Sequence, residues 1–279
     1  MPTLHYRILN VFAESTFGGN PLAVIEDGSN LSDADMQCVA RQFNLSETTF
    51  LLASTAAAAR VRIFTPSYEM AFAGHPTLGS AHVVSDLLSA GESFGLEMKG
   101  GIILVQKRGR RWTLSANPAT HRELTASTAE LASMLGLPEA AIARPVYWVD
   151  CGTEQPMIAL TSAQYVTACK PNAALLSRFC TNRNGQVKAY VFARTADGFE
   201  SRYFWMTDQN SVSEDPGTGS ACANLGRWWC LTEGDKPLVA IVRQGAAVKR
   251  PSLLALTVEN GKVEVGGEVI LVGKGTLFW

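Results

Sequence analysis

The feature that most constrains this chain is an internal repeat at a shift of 140 residues. At that shift Asn44 falls on Asn184, Ala53 on Ala193, Arg62 on Arg202, Phe64 on Phe204 and Pro76 on Pro216, and the tripeptide Gly79-Ser80-Ala81 falls on Gly219-Ser220-Ala221. The strand-like TFLLA at 49–53 lands on AYVFA at 189–193, and no gap is needed across the window. Single identities arise by chance, but a shared tripeptide preceded by matching strands is hard to obtain that way. Two similar halves are expected, each leading strands through a loop into a central helix. His75 meets Asp215 in this alignment, and each stands before a proline, small residues and then a helix, in AGHPTLGSA and EDPGTGSA. Two helix N-termini of this kind, facing each other across a pseudo-twofold cleft, would offer backbone donors and partial positive charge to a carboxylate.

The composition leaves room for such a pair of halves. A chain of 279 residues, 47% hydrophobic and 18% charged, can bury a sizeable core and is not expected to be disordered. A net charge of −1 gives no basic stripe for neutralising phosphates, so no nucleic-acid partner is expected. The one basic run, Lys107 to Arg111, lies between strand-like segments without interleaved aromatics and reads as a solvated hairpin turn. No stretch reaches the ~18–20 apolar residues that span a bilayer, and MPTLHYRILNVFAES has no run of signal-peptide length, so the expectation is a cytoplasmic protein without a membrane partner. The six cysteines (38, 151, 169, 180, 222, 230) show no CxxC spacing and the four histidines no HExxH, which suits reduced core thiols better than a disulfide framework or a metal enzyme.

Alternating or continuous apolar stretches predict strands at HYRILNVFA, ETTFLLAS, ARVRIFTP, GIILVQKR and RWTLSA, and later at PVYWVDCG, MIALTS, QVKAYVFART, FESRYFW, PLVAIVRQ, LLALTVEN, KVEVGG and VILVGKGTL. Helices are predicted at SDADMQCVARQF, with Ser32 as N-cap, at TASTAELASMLGL, and at CANLGRWWCL. SANPATHREL reads as a linker.

Several residues carry two readings on sequence alone. EDPGTGSA is an anion site or a turn with a capped helix behind it. Its GTGSAC core lacks the third small residue of a dinucleotide loop and no clear strand runs into it; without a following Lys it is not a P-loop. Glu47 in NLSETTF is a turn-capping carboxylate or a general acid/base at a strand edge. His75 is a satisfied core histidine or a site residue. Cys151 in DCGTEQP has no histidine near in sequence and reads as a packed thiol. His82 and the pair Trp228-Trp229 read as helix packing residues.

At these residues the chain resembles the PhzF-like (phenazine biosynthesis) proteins of the diaminopimelate epimerase superfamily. VFAESTFGGNPLAVI looks like the opening motif; NLSETTF, RIFTPSYEMAFAGHPTLGSAHVV and SEDPGTGSA follow in the family's order, and VRQG and VEVGGEVILVGKGTL resemble its closing motifs. The resemblance implies an α+β, diaminopimelate epimerase-like fold: two pseudo-symmetric halves, each a mixed, mostly antiparallel sheet wrapped round a central helix. The halves are placed at 1–118, joined by the strand at 270–279, and at 119–269, with the active site in the cleft between them. It implies that Glu47 shuttles a proton, that His75 and Asp215 bind and assist the substrate, and that Gly74, Gly219 and Ser220 place backbone donors near its carboxylate. Asn20 and Thr218 join the substrate-binding set. The superfamily's amino-acid epimerases use two opposed thiols, whose positions fall here at Ala73 and Pro216, so a two-thiol reaction is not expected.

Two segments depart from the family pattern. Lys249-Arg250-Pro251-Ser252 has Lys where a glycine is usual, and WMTDQNSVS (205–213) differs from the stretch usual before Glu214. The expected activity is isomerisation of a small carboxylate-bearing substrate by acid/base catalysis, without a cofactor, in a homodimer. The alternatives are a catalytically silent small-molecule or partner-binding protein on the same scaffold, and an epimerase.

Overall fold

A computed structural model describes residues 3–207, 210–234 and 236–278. Asp208 and Gln209, in one of the departing segments, lie outside the described residues. Residues through Ser115, together with those from Gly266 onward, form one unit, and Ala116–Val265 form a second. Both are α+β and rich in sheet.

In the first unit the strands are β1 (Thr3–Val11), β2 (Asn20–Ile25), β3 (Glu47–Leu52), β4 (Ala59–Phe64), β5 (Glu69–Met70), β6 (Ser93–Met98), β7 (Gly101–Arg108) and β8 (Arg111–Ser115), with helices α1 (Asp33–Phe43) and α2 (Gly74–Leu88). β1 pairs antiparallel with β2, β2 parallel with β3, and β3 antiparallel with β4. β4 pairs antiparallel with β5 but parallel with β6, which pairs antiparallel with β7. The basic run forms a hairpin, with Arg108 opposite Arg111.

α1 starts at a Ser32–Asp35 capping box and ends at Asn44 in the left-handed region. It lays Met36, Val39 and Ala40 on a core that includes Phe50 and Phe64. Those two rings meet edge-on at 5.4 Å, and truncating the fully buried Phe50 to Ala would cost about 3–5 kcal/mol. α2 is apolar or small over most of its surface, so it is buried against β1, β2, β3 and β8. Gly79 allows that approach, since a Cβ there would lie 2.4 Å from Leu22 Cδ2.

The second unit holds β9 (Thr120–Glu123), α3 (Thr128–Leu135), β10 (Tyr147–Asp150), β11 (Glu154–Ala159), α4 (Ala163–Ala168), α5 (Ala173–Phe179) and β12 (Lys188–Thr195). It continues with β13 (Gly198–Met206), β14 (Val212–Asp215), α6 (Gly219–Glu233), β15 (Leu238–Gln244) and β16 (Ser252–Glu259). The last strand, β17 (Lys262–Phe278), begins here and ends paired with β1 in the first unit. β10 to β16 repeat the pairing order of β1 to β7: antiparallel, parallel, antiparallel, antiparallel, a parallel step from β13 to β15, then antiparallel. α6 packs on β10, β11 and β16, while α3, α4 and α5 bury Leu131, Met134, Val166 and Leu176 in a separate core. Trp229 is buried with Nε1 donating to the Lys236 carbonyl at 2.9 Å, Trp228 meets Phe192 edge-on, and His82 is half-buried within α2. No helix among the described residues is long and apolar enough to cross a membrane.

The structure departs from the sequence expectations in several places, among them β5, α4 and α5, which it adds. It adds β2 and β6, whose Asn-Pro start and interior glycine weaken their strand signal. It adds β9 inside the stretch read as a linker, held by pairing to β10. KVEVGG and VILVGKGTL form one strand of 17 residues, because Gly266 is not a break: a Cβ there would lie 2.5 Å from the Trp112 carbonyl oxygen, so the glycine admits a neighbouring backbone. Finally, a strand does run into EDPGTGSA, since β14 ends at Asp215, although its pairing with β13 is antiparallel, unlike the parallel strand of a dinucleotide fold.

Candidate active site

In the first unit, Glu47 is the first residue of β3 and stands opposite Leu22 of the parallel β2, just past Asn20-Pro21. Asn20 is fully buried at the start of β2. His75 does not precede the helix, as the sequence suggests. It lies inside the first turn of α2, after Ala73 as N-cap and Gly74 as first helical residue. Pro76 is tolerated there because first-turn N–H groups have no intrahelical acceptor. Thr77 anchors the turn, its N–H and hydroxyl both reaching the Ala73 carbonyl, at 3.2 and 2.6 Å. Ser80, of the repeated tripeptide, donates at 2.9 Å to Thr49 and ties α2 to β3 close to Glu47.

These placements bring Asn20, Glu47, Gly74 and His75 into one neighbourhood. His75 Nε2 lies 3.2 Å from Glu47 Oε2, close but not in line for a hydrogen bond. The imidazole side chain is only 7% exposed and that of Glu47 14%, so Glu47 is the more exposed member of the pair, although its Oε2, which faces the ring, is buried. Glu47 is therefore not a surface carboxylate capping a turn. The ring also bonds the backbone of Pro21, which has no N–H, so the imidazole is the donor and its Nδ1 carries the proton. Burial pushes the His75 pKa down to about 3, with the Pro21 bond working in the opposite direction. The ring is thus neutral, and the nitrogen 3.2 Å from Glu47 Oε2 carries no proton. A proton on Glu47 finds an acceptor there; a second proton on His75 is opposed by burial.

In the second unit, Asp215 closes β14 opposite Tyr203, and Thr218 is the N-cap of α6. The Thr218 hydroxyl donates to Asp215 Oδ2. Gly219 and Ser220 open α6, where first-turn amides again have no intrahelical acceptor. Ser220 Oγ accepts from Gln155 Nε2 at 3.0 Å, and Gln155 Oε1 in turn accepts from the buried Asn224 at 2.8 Å. Glu214, next to Asp215, is held by Arg202 at 2.7 Å. The repeat reaches this detail, since Arg62 binds Glu69 at 2.8 Å in the first unit, and each guanidinium also covers the phenylalanine two residues on.

Sequence alone gives no role to Gln155, Asn224 or Gln244. Gln244 is buried and contacts both Asp215 and Thr218. Its signal is the VRQG motif, but nothing local says that the glutamine meets the Asp215 loop. Gly245 presses on that loop too: its φ is +83°, and a Cβ there would lie 2.4 Å from the Pro216 carbonyl oxygen and 2.3 Å from that of Arg250. The departing Lys249-Arg250 thus lies in a turn closed by the Arg250 N–H on the Gly245 carbonyl, at 3.0 Å.

The buried thiols near α6 are not poised for chemistry. Burial pushes Cys151 up to about 11 and Cys222 higher still, so neither is a thiolate near neutrality. Neither Ala73 nor Pro216 is a cysteine. Among the described residues no cluster of three or more His, Cys, Asp or Glu could hold a metal ion.

Residues 9–277 match the family described as phenazine biosynthesis-like protein. An uncharacterized isomerase of Pasteurella multocida is 38% identical over 277 residues, covering 98% of this chain and 93% of its own. The trans-2,3-dihydro-3-hydroxyanthranilate isomerase of Pseudomonas chlororaphis is 31% identical over 287 residues, covering 98% and 99%. In fold, the chain matches the crystal structure of a PhzF-family phenazine biosynthesis protein of Bacillus anthracis with a TM-score of 0.89 at 22% identity, covering 100% of both chains. With a match over nearly its whole length and relatives that are isomerases by name, the chain belongs to the phenazine biosynthesis-like (PhzC-PhzF) family of enzymes.

Proposed function

We propose that this protein is an isomerase that moves a proton within a small carboxylate-bearing substrate by acid/base catalysis, with Glu47 as the proton carrier. The observation that carries the reading is the contact between a partly exposed Glu47 and a buried, neutral His75 at 3.2 Å. Glu47 takes a proton from an acidified carbon of the substrate and returns it at a conjugated position on the same face. His75 accepts from the protonated carboxyl and holds its orientation. Such catalysis contributes about 10²–10⁴-fold, so positioning of the substrate supplies much of the remainder. A carboxylate and an imidazole suffice for proton transfer, and no cofactor is invoked.

Asp215 is assigned to orienting the same substrate, with Asn20 and Thr218. Backbone amides at Gly74, Gly219 and Ser220 are assigned as donors to its carboxylate. The recurring pairing order supports two pseudo-symmetric halves, each wrapped on its own helix, α2 or α6. A homodimer follows from the family resemblance and is checked by light scattering.

The test uses trans-2,3-dihydro-3-hydroxyanthranilate, the compound for which the Pseudomonas chlororaphis relative is named. Turnover in deuterium oxide should place up to one solvent deuteron in the product, to the extent that the proton carried by Glu47 exchanges with solvent before it is returned, and Glu47→Gln should lower this by about 10²–10⁴-fold. Binding without any proton exchange would instead mark a silent binding protein, and inversion at a single carbon an epimerase.

A further inference from the structure

Gln244, at the end of β15, makes three hydrogen bonds to the loop that carries Asp215. Its Nε2 donates to the Asp215 carbonyl at 2.7 Å and to Thr218 Oγ1 at 2.9 Å, while its Oε1 accepts from the Thr218 N–H at 3.3 Å. These partners fix the orientation of the amide. One is a backbone acceptor and one a backbone donor, so a flipped amide would set oxygen against oxygen and N–H against N–H. With the amide so fixed, its second hydrogen engages Thr218 Oγ1 as an acceptor. The hydroxyl's own proton is then directed at Asp215 Oδ2, the contact that the structure contains.

We propose that Gln244 is a positioning residue for Asp215, acting through Thr218: it holds the Asp215 main chain and fixes the direction of the hydrogen bond received by Asp215 Oδ2. The inference rests on the assignment of Asp215 to the reaction.

The first unit shows what the same place does without an amide. Met98 ends β6, the strand that holds the place of β15 in the pairing order, and its sulfur lies 3.4 Å from the Thr77 hydroxyl oxygen. A thioether has no proton to donate, so it cannot direct the hydroxyl as an amide does. Thr77 sends its proton to the Ala73 carbonyl and serves the helix start. Both strand ends meet a threonine, but only the one beside Asp215 sets the direction of a proton. Gly245 completes the hold on this loop by admitting the Pro216 carbonyl. Gln244 is 1% exposed, so water does not compete for its amide.

The test is titration of the Asp215 carboxyl by carbon NMR in protein labelled at aspartate carboxyls, the signal being identified by its loss in Asp215→Asn. Thr218→Val removes the hydrogen bond received by the ionised carboxyl and should raise the midpoint by about 1 pH unit; Gln244→Met leaves that bond without a fixed direction and should raise the midpoint in the same sense, by no more. The double variant should rise no further than the larger single, since both act through one bond. Turnover of trans-2,3-dihydro-3-hydroxyanthranilate should fall in both variants, with its pH profile displaced in the same direction. A lower Tm in Gln244→Met with an unmoved midpoint would make the glutamine a structural residue and overturn the proposal. If Gln244→Met does not fold, Thr218→Val decides, and an unmoved midpoint there has the same force. Full turnover in Asp215→Asn would remove Asp215 from the reaction, whereas the titration would still report whether the relay exists.

Discussion

His75 Nε2 stands 3.2 Å from Glu47 Oε2, while the other nitrogen of the ring is committed to the Pro21 carbonyl. One backbone carbonyl thereby decides the tautomer, and the tautomer decides that the ring nitrogen nearer the carboxylate carries no proton. The contact suits a carboxyl that is protonated for part of a catalytic cycle, and it is the basis of the first two predictions.

Glu47→Gln should reduce turnover and solvent deuterium incorporation by about 10²–10⁴-fold. Tm should change little, because a glutamine amide keeps the shape and can donate to Nε2. Mass spectrometry of the product checks the first expectation and calorimetry the second. Near wild-type exchange would remove Glu47 as proton carrier.

The stability of the protein should fall as pH drops below about 6.5, the ordinary histidine value. His75 is held down to about 3 in the folded state, chiefly by burial. Between those two values the unfolded chain binds a proton that the folded chain refuses, so the contribution is full above about 6.5 and is lost toward acid. One such proton gives a slope of at most about 1.4 kcal/mol per pH unit. Urea unfolding of wild type and His75→Gln across the mildly acidic range should show a shallower slope in the variant. Equal slopes would mean that His75 is not buried as a neutral ring.

Arg202→Met should cost about 3–5 kcal/mol, because it strands a Glu214 whose side chain is only 8% exposed. The guanidinium also donates to the Cys169 carbonyl at 2.8 Å, beyond the end of α4. Changing Glu214 to Gln in the same protein should restore part of the loss, which denaturant unfolding would register as a positive coupling. Additive losses would show that the pair is not energetically linked.

Gly245→Ala should destabilise more than Gly261→Ala. Both residues have positive φ, which costs a residue with a Cβ about 1–2 kcal/mol, but only at Gly245 does the Cβ also meet carbonyl oxygens. Gly245→Ala should also lower turnover, because Pro216 must move and Asp215 moves with it. Equal Tm losses in the two variants would show that the loop gives way without strain.

Cys151→Ala and Cys222→Ala should keep product deuteration within a few-fold of wild type. A racemase working through paired thiols would lose it in one variant or the other, and such a loss would reassign the chemistry from Glu47 to sulfur.

Much of the fold is legible in the sequence because its signals are local. The Ser32 cap, the alternation in ARVRIF and the basic hairpin each depend on residues within a few positions of one another. β2 and β6 are less legible because their proline and glycine argue against strands locally, while the partners that stabilise them lie in distant segments. The helix start at Gly74 is misread for a related reason. The repeat equates His75 with Asp215, yet α2 begins before its proline and α6 after the corresponding one. In EDPGTGSA, pairing of β14 with β13 extends the strand through Asp215, and the helix can begin only after the loop that follows.

The sequence by itself determined that the chain repeats, which residue types stand at each candidate position, and that no thiol occupies Ala73 or Pro216. Only the tertiary structure decided which atoms meet. Gln244 reaches the Asp215 loop from 26 and 29 residues away, and Glu47 meets His75 because β3 and α2 pack together. Hydrogen-bond direction depends on distances of a few ångströms between segments that periodicity and propensity treat as independent, so the protonation pattern of the site appears only once the chain has folded.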